Sequence, residues 1–273
     1  MSTRDGWRYA ITLTMVVTMI GGGCASSRAV PPSPSTILQT QTAGADAPAV
    51  VREVVADGLV HVTYRFGPTP DESMDLFGFN PKRFEFSLNV TSTRFTMKRW
   101  GELDPAAVAI MNGGYFMDDG SPSGFVVRHG VRIGTAQFDA DKSAIIDFTD
   151  GVRIVTATSS LRDRSKYQTA LQSYPVLMAS GTPRVKSDSG KVARRSIIGV
   201  DADGMVWMGV VPEAEISLYT LSQMLDQTKI SWVDVVNVDG GPSTGLLVRS
   251  GKTAWLHETV FGVPFVVTAT PRL

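Results

Sequence analysis

The sequence contains few of the residues that form covalent or metal cross-links. Cys24 is its only cysteine, and three histidines occur in 273 residues. A single cysteine allows no disulfide within the chain and excludes a cysteine-rich zinc site. The scarcity of histidine argues against a histidine-rich metal centre, so we predict no metal site and no cofactor. Carboxylate-bearing loops leave Ca²⁺ open as an alternative.

The chain also carries no net charge, because 26 lysines and arginines balance 26 aspartates and glutamates. This balance excludes a protein that holds nucleic acid through bulk positive charge, and we predict no nucleic-acid partner. Hydrophobic residues make up 43% of the sequence and charged residues 19%. That composition is typical of a globular protein rather than a disordered one.

The N-terminal apolar run is too short for a permanent membrane anchor. It covers residues 9–20, whereas a spanning helix needs about 20 apolar residues. Arg4 and Arg8 precede it and three glycines follow it, an order typical of a secretory signal. Cys24 comes next, as in a bacterial lipobox, where the cysteine is lipidated. Gly21 departs from the usual bulky residue, and ordinary signal cleavage that discards Cys24 is the alternative.

We therefore predict three segments. Residues 1–24 form a signal peptide with the lipobox-like Cys24. Residues 25–49 are rich in Ser, Thr, Ala and Pro, bury too little surface to offset chain entropy, and form a flexible tether. Residues 50–273 form the folded domain. This organisation predicts an exported protein, lipid-anchored to the bacterial cell envelope, at the outer membrane or facing the periplasm in a Gram-negative cell.

The folded part has the pattern of strands joined by tight turns. Strands are predicted at 61–66 and 84–90, and the nearly unbroken apolar run 233–238 predicts a central strand. A helix is predicted at 217–228, and a short one is predicted to begin at Asp104-Pro105. The class is α+β, a single domain dominated by antiparallel β-hairpins with one main amphipathic helix. Five hairpin turns are predicted, at His129-Gly130, Asp150-Gly151, Ser180-Gly181, Asp203-Gly204 and Ser250-Gly251.

Two junctions between a strand and a glycine pair carry the chemistry that the sequence suggests. They are Asn112-Gly113-Gly114 and Asp239-Gly240-Gly241. A glycine pair permits positive φ and close approach of a ligand, and successive N–H groups form an anion-binding concavity. The polar side chain at each strand end would face the same ligand. Each junction taken alone is more simply a turn former.

Other polar residues join this set as candidates. Arg195 begins the strand 195–200, and its guanidinium suits a phosphate or carboxylate, although it is also a plausible surface cation. The Gln172 amide is suited to sugar hydroxyls, or else lies on the solvent side of a strand. His257 is an acid–base candidate with no partner identifiable from the sequence.

Five segments in order resemble the phosphodiester glycosidase family, and the resemblance covers roughly residues 54–270. They are MNGGYF at 111–116, LQSYPVLMASG at 171–181, RRSIIGVDADG at 194–204, ISLYTLSQML at 216–225 and NVDGGPSTGL at 237–246. Ser196 replaces the threonine usual in that family and keeps its hydroxyl. Pro242 replaces a glycine and removes one backbone N–H.

The resemblance implies a hydrolase that cleaves between the anomeric carbon of a sugar and a phosphodiester oxygen. The substrate expected is a glycosyl-1-phosphodiester in envelope or exopolysaccharide material. Three catalytic residues are expected: Asp239 as base or nucleophile, Arg195 on the phosphate, and Asn112 on the sugar. The expected substrate-binding residues are Gly113, Gly114, Tyr115, Gln172, Gly240, Gly241 and Ser243.

A glycosidase usually uses two carboxylates, and only Asp239 stands out. The remaining candidates for the second are Glu213, Glu215, Asp118, Asp201 and Glu258, although Asp201 is expected to be structural. Two other functions stay open. One is a non-catalytic lipoprotein that binds an anionic glycan, and the other is a phosphodiesterase that cuts the P–O bond, which commonly needs a metal cluster.

Overall fold

Antiparallel strands dominate the structure, a computed structural model that describes residues 39–40, 48–134, 139, 141–156 and 165–272. Strands account for 51% of it and helices for 9%. The predicted signal segment, Cys24 and most of the predicted tether lie outside the described residues. In chain order the strands are β1 (Gln39–Thr40), β2 (Ala49–Ala56), β3 (Leu59–Arg65), β4 (Ser73–Phe79), β5 (Phe84–Phe95), β6 (Ala109–Asn112), β7 (Val126–Arg128), β8 (Val131–Arg132), β9 (Ala144–Asp147), β10 (Arg153–Val155), β11 (Ala170–Ser173), β12 (Val176–Ala179), β13 (Thr182–Pro183), β14 (Val192–Asp201), β15 (Val206–Ser217), β16 (Trp232–Asn237), β17 (Leu246–Ser250), β18 (Thr253–His257) and β19 (Val263–Pro271).

These strands form three sheets, which we call A, B and C. Sheet A has nine strands in the order β1-β2-β3-β4-β15-β14-β16-β12-β13. Sheet B has the order β18-β17-β6-β19-β5, and sheet C the order β10-β9-β11-β7-β8. β16 pairs with β14 on one side and β12 on the other, which confirms the predicted central strand.

The five predicted hairpin turns are confirmed. Each joins two strands that pair antiparallel: β7 with β8, β9 with β10, β12 with β13, β14 with β15, and β17 with β18. At His129-Gly130 and Ser180-Gly181 both residues have positive φ, between 49° and 73°. That conformation matches the right-handed twist of the flanking strands.

The short helix predicted to begin at Asp104 is wrong, because α1 (Met97–Leu103) ends there. Its N-cap is Thr96, whose side chain accepts the Arg99 amide. Asp104 donates its own N–H to the carbonyl of Trp100 and closes the helix. Pro105 then follows the helix rather than opening it, as is common one or two residues after a helix end.

The second helix is confirmed as α2 (Leu218–Gln227), with Ser217 as the N-cap that accepts the Thr220 amide. Leu221 and Leu225 are buried against the outer face of sheet A, where they pack with Trp232. A single-turn 3₁₀ helix, Gly241–Ser243, follows β16. The α+β class therefore holds in broad terms, as mostly antiparallel sheet with few helices.

The main core lies where all three sheets contribute buried side chains, among them Phe77 from sheet A, Met111 from sheet B and Ile146 from sheet C. A separate cluster packs α1 against the other face of sheet B. All described residues belong to one unit, Thr36–Leu273. Within them, no helix has the length and apolar character needed to cross a membrane.

Candidate active site

The two strand–glycine junctions lie side by side, joined by the side chain of Asn112 at the end of β6. Its Oδ1 accepts hydrogen bonds from Ser196 Oγ at 2.8 Å and from the Gly245 amide at 3.2 Å. Its Nδ2 donates to the carbonyl of Asp239 at 2.7 Å. Asn112 is fully buried. Its amide therefore connects sheet B, β14 of sheet A and the loop after β16.

Asp239 lies two residues after the end of β16, and its backbone amide donates to the Gly113 carbonyl at 3.3 Å. Its half-buried carboxylate accepts the Gly240 amide at 2.9 Å. Burial raises the pKa of Asp239 from 3.8 to about 6, although the nearby Ser243 side chain and the Gly240 amide act in the opposite direction. A carboxylate with a pKa close to neutral can exchange protons at physiological pH.

The side chain of Tyr115 interacts electrostatically with both the Asp239 carboxylate and the Arg195 guanidinium. Its hydroxyl donates to the Tyr174 carbonyl at 2.9 Å and accepts from Asn237 Nδ2 at 2.7 Å. Burial, reinforced by the charge of Asp239, raises the pKa of Tyr115 far above its ordinary range, while Arg195 opposes that shift. Asp239 and Arg195 therefore both lie within electrostatic range of one phenol.

Arg195 is held by its backbone contacts while part of its guanidinium stays available. Nε donates to the Ile216 carbonyl and Nη2 to the Lys191 carbonyl, each at 2.9 Å. Burial lowers the pKa of Arg195. Within the described part of the chain it forms no salt bridge, and its Nη1 has no hydrogen-bond partner there. A half-buried cation without an ionic partner is suited to an anionic ligand.

The glycines serve different purposes from those predicted. Only Gly241 has positive φ, +56°, and a Cβ there would meet open space. A Cβ on Gly113 would lie 2.4 Å from the Phe265 ring, and one on Gly240 would lie 2.8 Å from the Arg194 carbonyl. The positive φ that a glycine pair permits is therefore used at only one of these four glycines. At Gly113 and Gly240, glycine is required by close packing.

Two of the four glycine amides are already engaged. Gly113 donates to the Phe265 carbonyl at 3.1 Å, and Gly240 donates to the Asp239 carboxylate. Among the described residues, the amides of Gly114 and Gly241 have no acceptor. Of the amides in the two glycine pairs, only these two are left to bind an anion.

Gln172, predicted to contact sugar hydroxyls, is buried with every hydrogen-bonding position of its amide used. Oε1 accepts the amides of Phe125 at 3.1 Å and Asp139 at 3.0 Å. Nε2 donates to the carbonyls of Asp139 and Lys142. In this arrangement Gln172 fixes the backbone around Lys142, and the structure gives its amide no free group for a ligand.

Several residues important to this geometry were not recognised from the sequence. Arg194 donates to the carbonyls of Gly241 at 3.1 Å and Pro212 at 3.2 Å and so secures the glycine loop. Lys142 is buried, with Nζ on Asp139 and on Ser123 Oγ at 3.3 Å. No local pattern indicated Arg194, because its partners lie 18 and 47 residues away, whereas Lys142 pairs with Asp139 only three residues away and was overlooked.

The substitution of Pro242 for a glycine fits the local backbone. Pro242 lies in the first turn of the 3₁₀ helix, where an amide has no partner within the helix. Its carbonyl accepts the Val260 amide at 2.8 Å. The retained hydroxyl of Ser196 is the one that binds Asn112.

Two of the five candidates for a second carboxylate, Asp201 and Glu258, have structural partners. Asp201 accepts from Trp207 Nε1 and the Met205 amide, each at 2.8 Å, as expected for a structural residue. Glu258 binds the amides of Met97 and Lys98 at the start of α1. Glu215, by contrast, is exposed and interacts electrostatically with Arg195.

His257 has a partner that the sequence did not reveal, since Nε2 lies 2.9 Å from Asp75 Oδ2. The other oxygen of Asp75 lies 2.8 Å from His61 Nε2, and His61 Nδ1 lies 2.9 Å from Glu53. Burial alone would lower the pKa of His61, but its bonds to Asp75 and Glu53 raise it above 6.5. This cluster joins sheet A to β18 of sheet B.

The site is defined by its chemistry rather than by a deep cavity. A cleft of about 780 Å³ lies elsewhere, lined by Lys82, His129, Asp150 and Arg272 among others, and none of the residues around Asp239 contributes to it. Within the described residues, no group of three or more histidine, cysteine, aspartate or glutamate side chains is arranged to hold a metal ion.

Comparisons with known proteins bear on the fold and the family of this chain. The catalytic domain of zebrafish N-acetylglucosamine-1-phosphodiester alpha-N-acetylglucosaminidase, auto-inhibited by its pro-peptide, aligns with TM-score 0.57 and 12% identity over 88% of this chain and 86% of that one. A hypothetical protein from Synechocystis aligns with TM-score 0.54 and 16% identity over 87% of this chain and 68% of that one. At such identities the likeness shows the fold alone.

Among curated proteins, none matches the sequence significantly. The profile of the phosphodiester glycosidase family matches residues 105–264, which is more than half of the chain. That range contains all five segments on which the resemblance was based, including both glycine junctions and Arg195. The chain therefore belongs to the phosphodiester glycosidase family.

Proposed function

We propose that this protein hydrolyses the bond between the anomeric carbon of a sugar and the oxygen of a phosphodiester. The observation that carries the proposal is the half-buried Asp239, whose raised pKa and position beside Tyr115 and Arg195 combine an acid–base group with an anion site. Family membership supports a glycosidase-type hydrolase.

The phosphate end of the substrate is assigned to donors that the fold leaves available. These are Arg195 Nη1 and the amides of Gly114 and Gly241, a smaller set than the four glycine amides expected from the sequence. A phosphodiester carries one negative charge, so one guanidinium and two oriented N–H groups match it without a net basic protein. These donors also stabilise the phosphate as it departs.

Asp239 is assigned to the anomeric carbon. In hydrolysis the C1–O bond breaks, the phosphomonoester leaves with the bonding electrons, and the oxygen of water becomes the new anomeric hydroxyl. Ionised Asp239 either removes a proton from that water or first attacks C1 itself. Since phosphate is a good leaving group, a strong second acid is less necessary than for an ordinary glycoside.

Asn112 is assigned a positioning role instead of the predicted contact with the sugar. Its amide is fully engaged by Ser196, Gly245 and the Asp239 carbonyl, so it acts by holding the backbone of Asp239. Pre-organised groups of this kind matter because a catalytic carboxylate must be placed to within about 0.5 Å.

The cellular setting is also proposed, and it rests on the sequence. The lipobox-like Cys24 and the polar tether support an exported lipoprotein, tethered to the envelope by its N-terminal lipid. Glycosyl-1-phosphodiesters of envelope or exopolysaccharide material are the substrates that such a location offers. Loss of lipid labelling in Cys24→Ser tests the anchor, and labelling that persists in this variant contradicts it.

The reaction is tested with the full-length chain, purified in a detergent that lacks a sugar headgroup. A panel of glycosyl-1-phosphodiesters is incubated in ¹⁸O water, and the products are analysed by mass spectrometry. We expect the label in the sugar and loss of activity in Asp239→Asn. Label in the phosphate would instead identify a phosphodiesterase, and binding without turnover would identify a glycan-binding protein. The first-formed anomer, read by NMR, separates base from nucleophile.

A further inference from the structure

We propose that the aromatic ring of Tyr174 is the surface on which the sugar ring of the ligand packs, which makes it a positioning residue for the glycosyl group. The inference deepens the proposed function and rests on it for the identity of the ligand. It concerns a residue that contributes to the geometry above only through its backbone carbonyl.

The exposure of this side chain is unusual for its place in the chain. Tyr174 is 40% exposed, while Ser173 before it is fully buried and Pro175 and Val176 after it are partly buried. Its hydroxyl makes no hydrogen bond to any described residue. Neither burial nor a polar partner therefore explains why a large aromatic side chain is placed here.

The backbone of Tyr174 is nevertheless fixed against the site. Its carbonyl accepts the Tyr115 hydroxyl at 2.9 Å and Asn237 Nδ2 at 3.1 Å. Its ring centroid lies 4.9 Å from that of Tyr115, with the two planes tilted by 37°. Because Tyr115 is within electrostatic range of Asp239 and Arg195, the exposed ring lies at the edge of the same site.

A buried cation, the Lys142 ammonium, lies near both rings of this aromatic pair. Lys142 Nζ lies 5.4 Å from the Tyr174 centroid and 5.8 Å from the Tyr115 centroid. Asp139 and Ser123 hold the ammonium in place. A held cation near both rings restrains the aromatic pair, and a restrained aromatic side chain suits a binding role.

The chemistry of this surface matches the sugar half of the substrate. A pyranose ring presents a face of C–H groups that packs on an aromatic ring, and pockets for small ligands are commonly lined in this way. The charged half of the substrate is assigned to Arg195 and the two free amides. The two ends of a glycosyl phosphodiester thus meet two different surfaces, one cationic and one aromatic.

Because the two surfaces are separate, sugar binding and phosphate binding can be tested independently with different variants. The full-length chain in the same detergent is titrated by NMR with four probes, glucose, galactose, mannose and N-acetylglucosamine, and separately with inorganic phosphate. For the sugar that the wild type binds best, Tyr174→Leu should raise Kd about tenfold, the equivalent of about 1.4 kcal/mol of lost aromatic contact. Tyr174→Phe, which keeps the ring, should bind as wild type does.

The phosphate titration provides the matched control. Tyr174→Leu should leave the Kd for phosphate unchanged, whereas Arg195→Lys should weaken phosphate binding and leave sugar binding unchanged. Equal loss of both ligands in Tyr174→Leu, or no loss of sugar binding, would overturn the proposal. A wild-type protein that binds none of the four sugars would overturn it as well.

The outcome is distinguishable from failure of the proposed function. If the wild type binds a sugar through Tyr174 but releases none from any phosphodiester, the hydrolase assignment fails and the aromatic surface stands. If hydrolysis occurs, Tyr174→Leu should raise KM about tenfold with little change in kcat, because the ring contacts the bound sugar before and during the reaction.

Discussion

Replacing Asp239 by asparagine should abolish activity and at the same time stabilise the protein, by an amount that depends on pH. Burial raises the pKa of this carboxyl from 3.8 to about 6. One pKa unit corresponds to about 1.4 kcal/mol, so keeping Asp239 ionised costs the folded state about 3 kcal/mol. The carboxylate is half-buried, and solvent screening reduces the expected value to about 1–3 kcal/mol.

The sign of the effect follows from linkage. The pKa of Asp239 is higher in the folded state than in the unfolded state. The stability of the folded protein with Asp239 protonated is therefore fully present below pH 3.8 and is lost as the pH rises through about 6. The asparagine side chain of the Asp239→Asn variant cannot ionise, so the variant avoids this loss. We therefore expect Asp239→Asn and wild type to have similar free energies of unfolding near pH 4, and the variant to be more stable at pH 8.

The assay is urea denaturation between pH 4 and pH 8, with full-length protein in the same detergent. Asp118→Asn, on an exposed loop, controls for removing one negative charge from the molecule. Two stability curves that stay parallel across this range would show that Asp239 is not destabilised by burial. The argument that its pKa suits it to proton transfer would then fail.

Three further predictions follow from other contacts. Ser243→Ala removes a hydroxyl group that lowers the pKa of Asp239, so the acid limb of the kcat/KM profile should move from about pH 6 to higher pH; an unmoved limb contradicts this. Gly113→Ala places a methyl group 2.4 Å from a phenylalanine ring and should lower the free energy of unfolding by about 1–3 kcal/mol in urea denaturation. Asp75→Asn should cost about 3 kcal/mol, because it breaks a half-buried cluster of charges. Although burial would raise the pKa of Asp75, its bonds to His257 and His61 hold that pKa below 3.8, and the pKa of His61 is raised above 6.5. The loss of stability in Asp75→Asn, measured by thermal unfolding, should therefore be largest between these two pH values and smaller on either side.

Local signals predicted much of the fold. The glycine turns, the leucine spacing of α2 and the apolar run of β16 are short-range patterns, and each produced the predicted element. The boundary of α1 was predicted wrongly, because the helix is capped locally by Thr96 and also by a residue far along the chain. Glu258 caps the amides of Met97 and Lys98 from 160 residues or more along the chain. The cap signal at Asp104 therefore did not predict the helix, because the tertiary fold places the Glu258 carboxylate at the start of α1.

The glycine junctions show the same limit at the site. The sequence correctly indicated that Asn112 and Asp239 belong together, since Asn112 Nδ2 binds the Asp239 carbonyl across 127 residues. It did not indicate which atoms face a ligand. The amide of Gly113 is taken by Phe265 and that of Gly240 by the Asp239 carboxylate, and both acceptors are known only once the chain is folded.

The neighbouring arginines show why residue type alone cannot assign the anion site. Arg194 donates to three carbonyls, those of Pro212, Gly241 and Pro242, so each of its three guanidinium nitrogens is bound to the backbone in or near the glycine loop. Arg195 donates to two carbonyls and, within the described residues, has no carboxylate at ion-pair distance. Since the protein has no net charge, its overall field cannot attract an anion. The attraction must be local, and of these two arginines only Arg195, next to Asp239 and Tyr115, has a terminal nitrogen, Nη1, with no acceptor among the described residues.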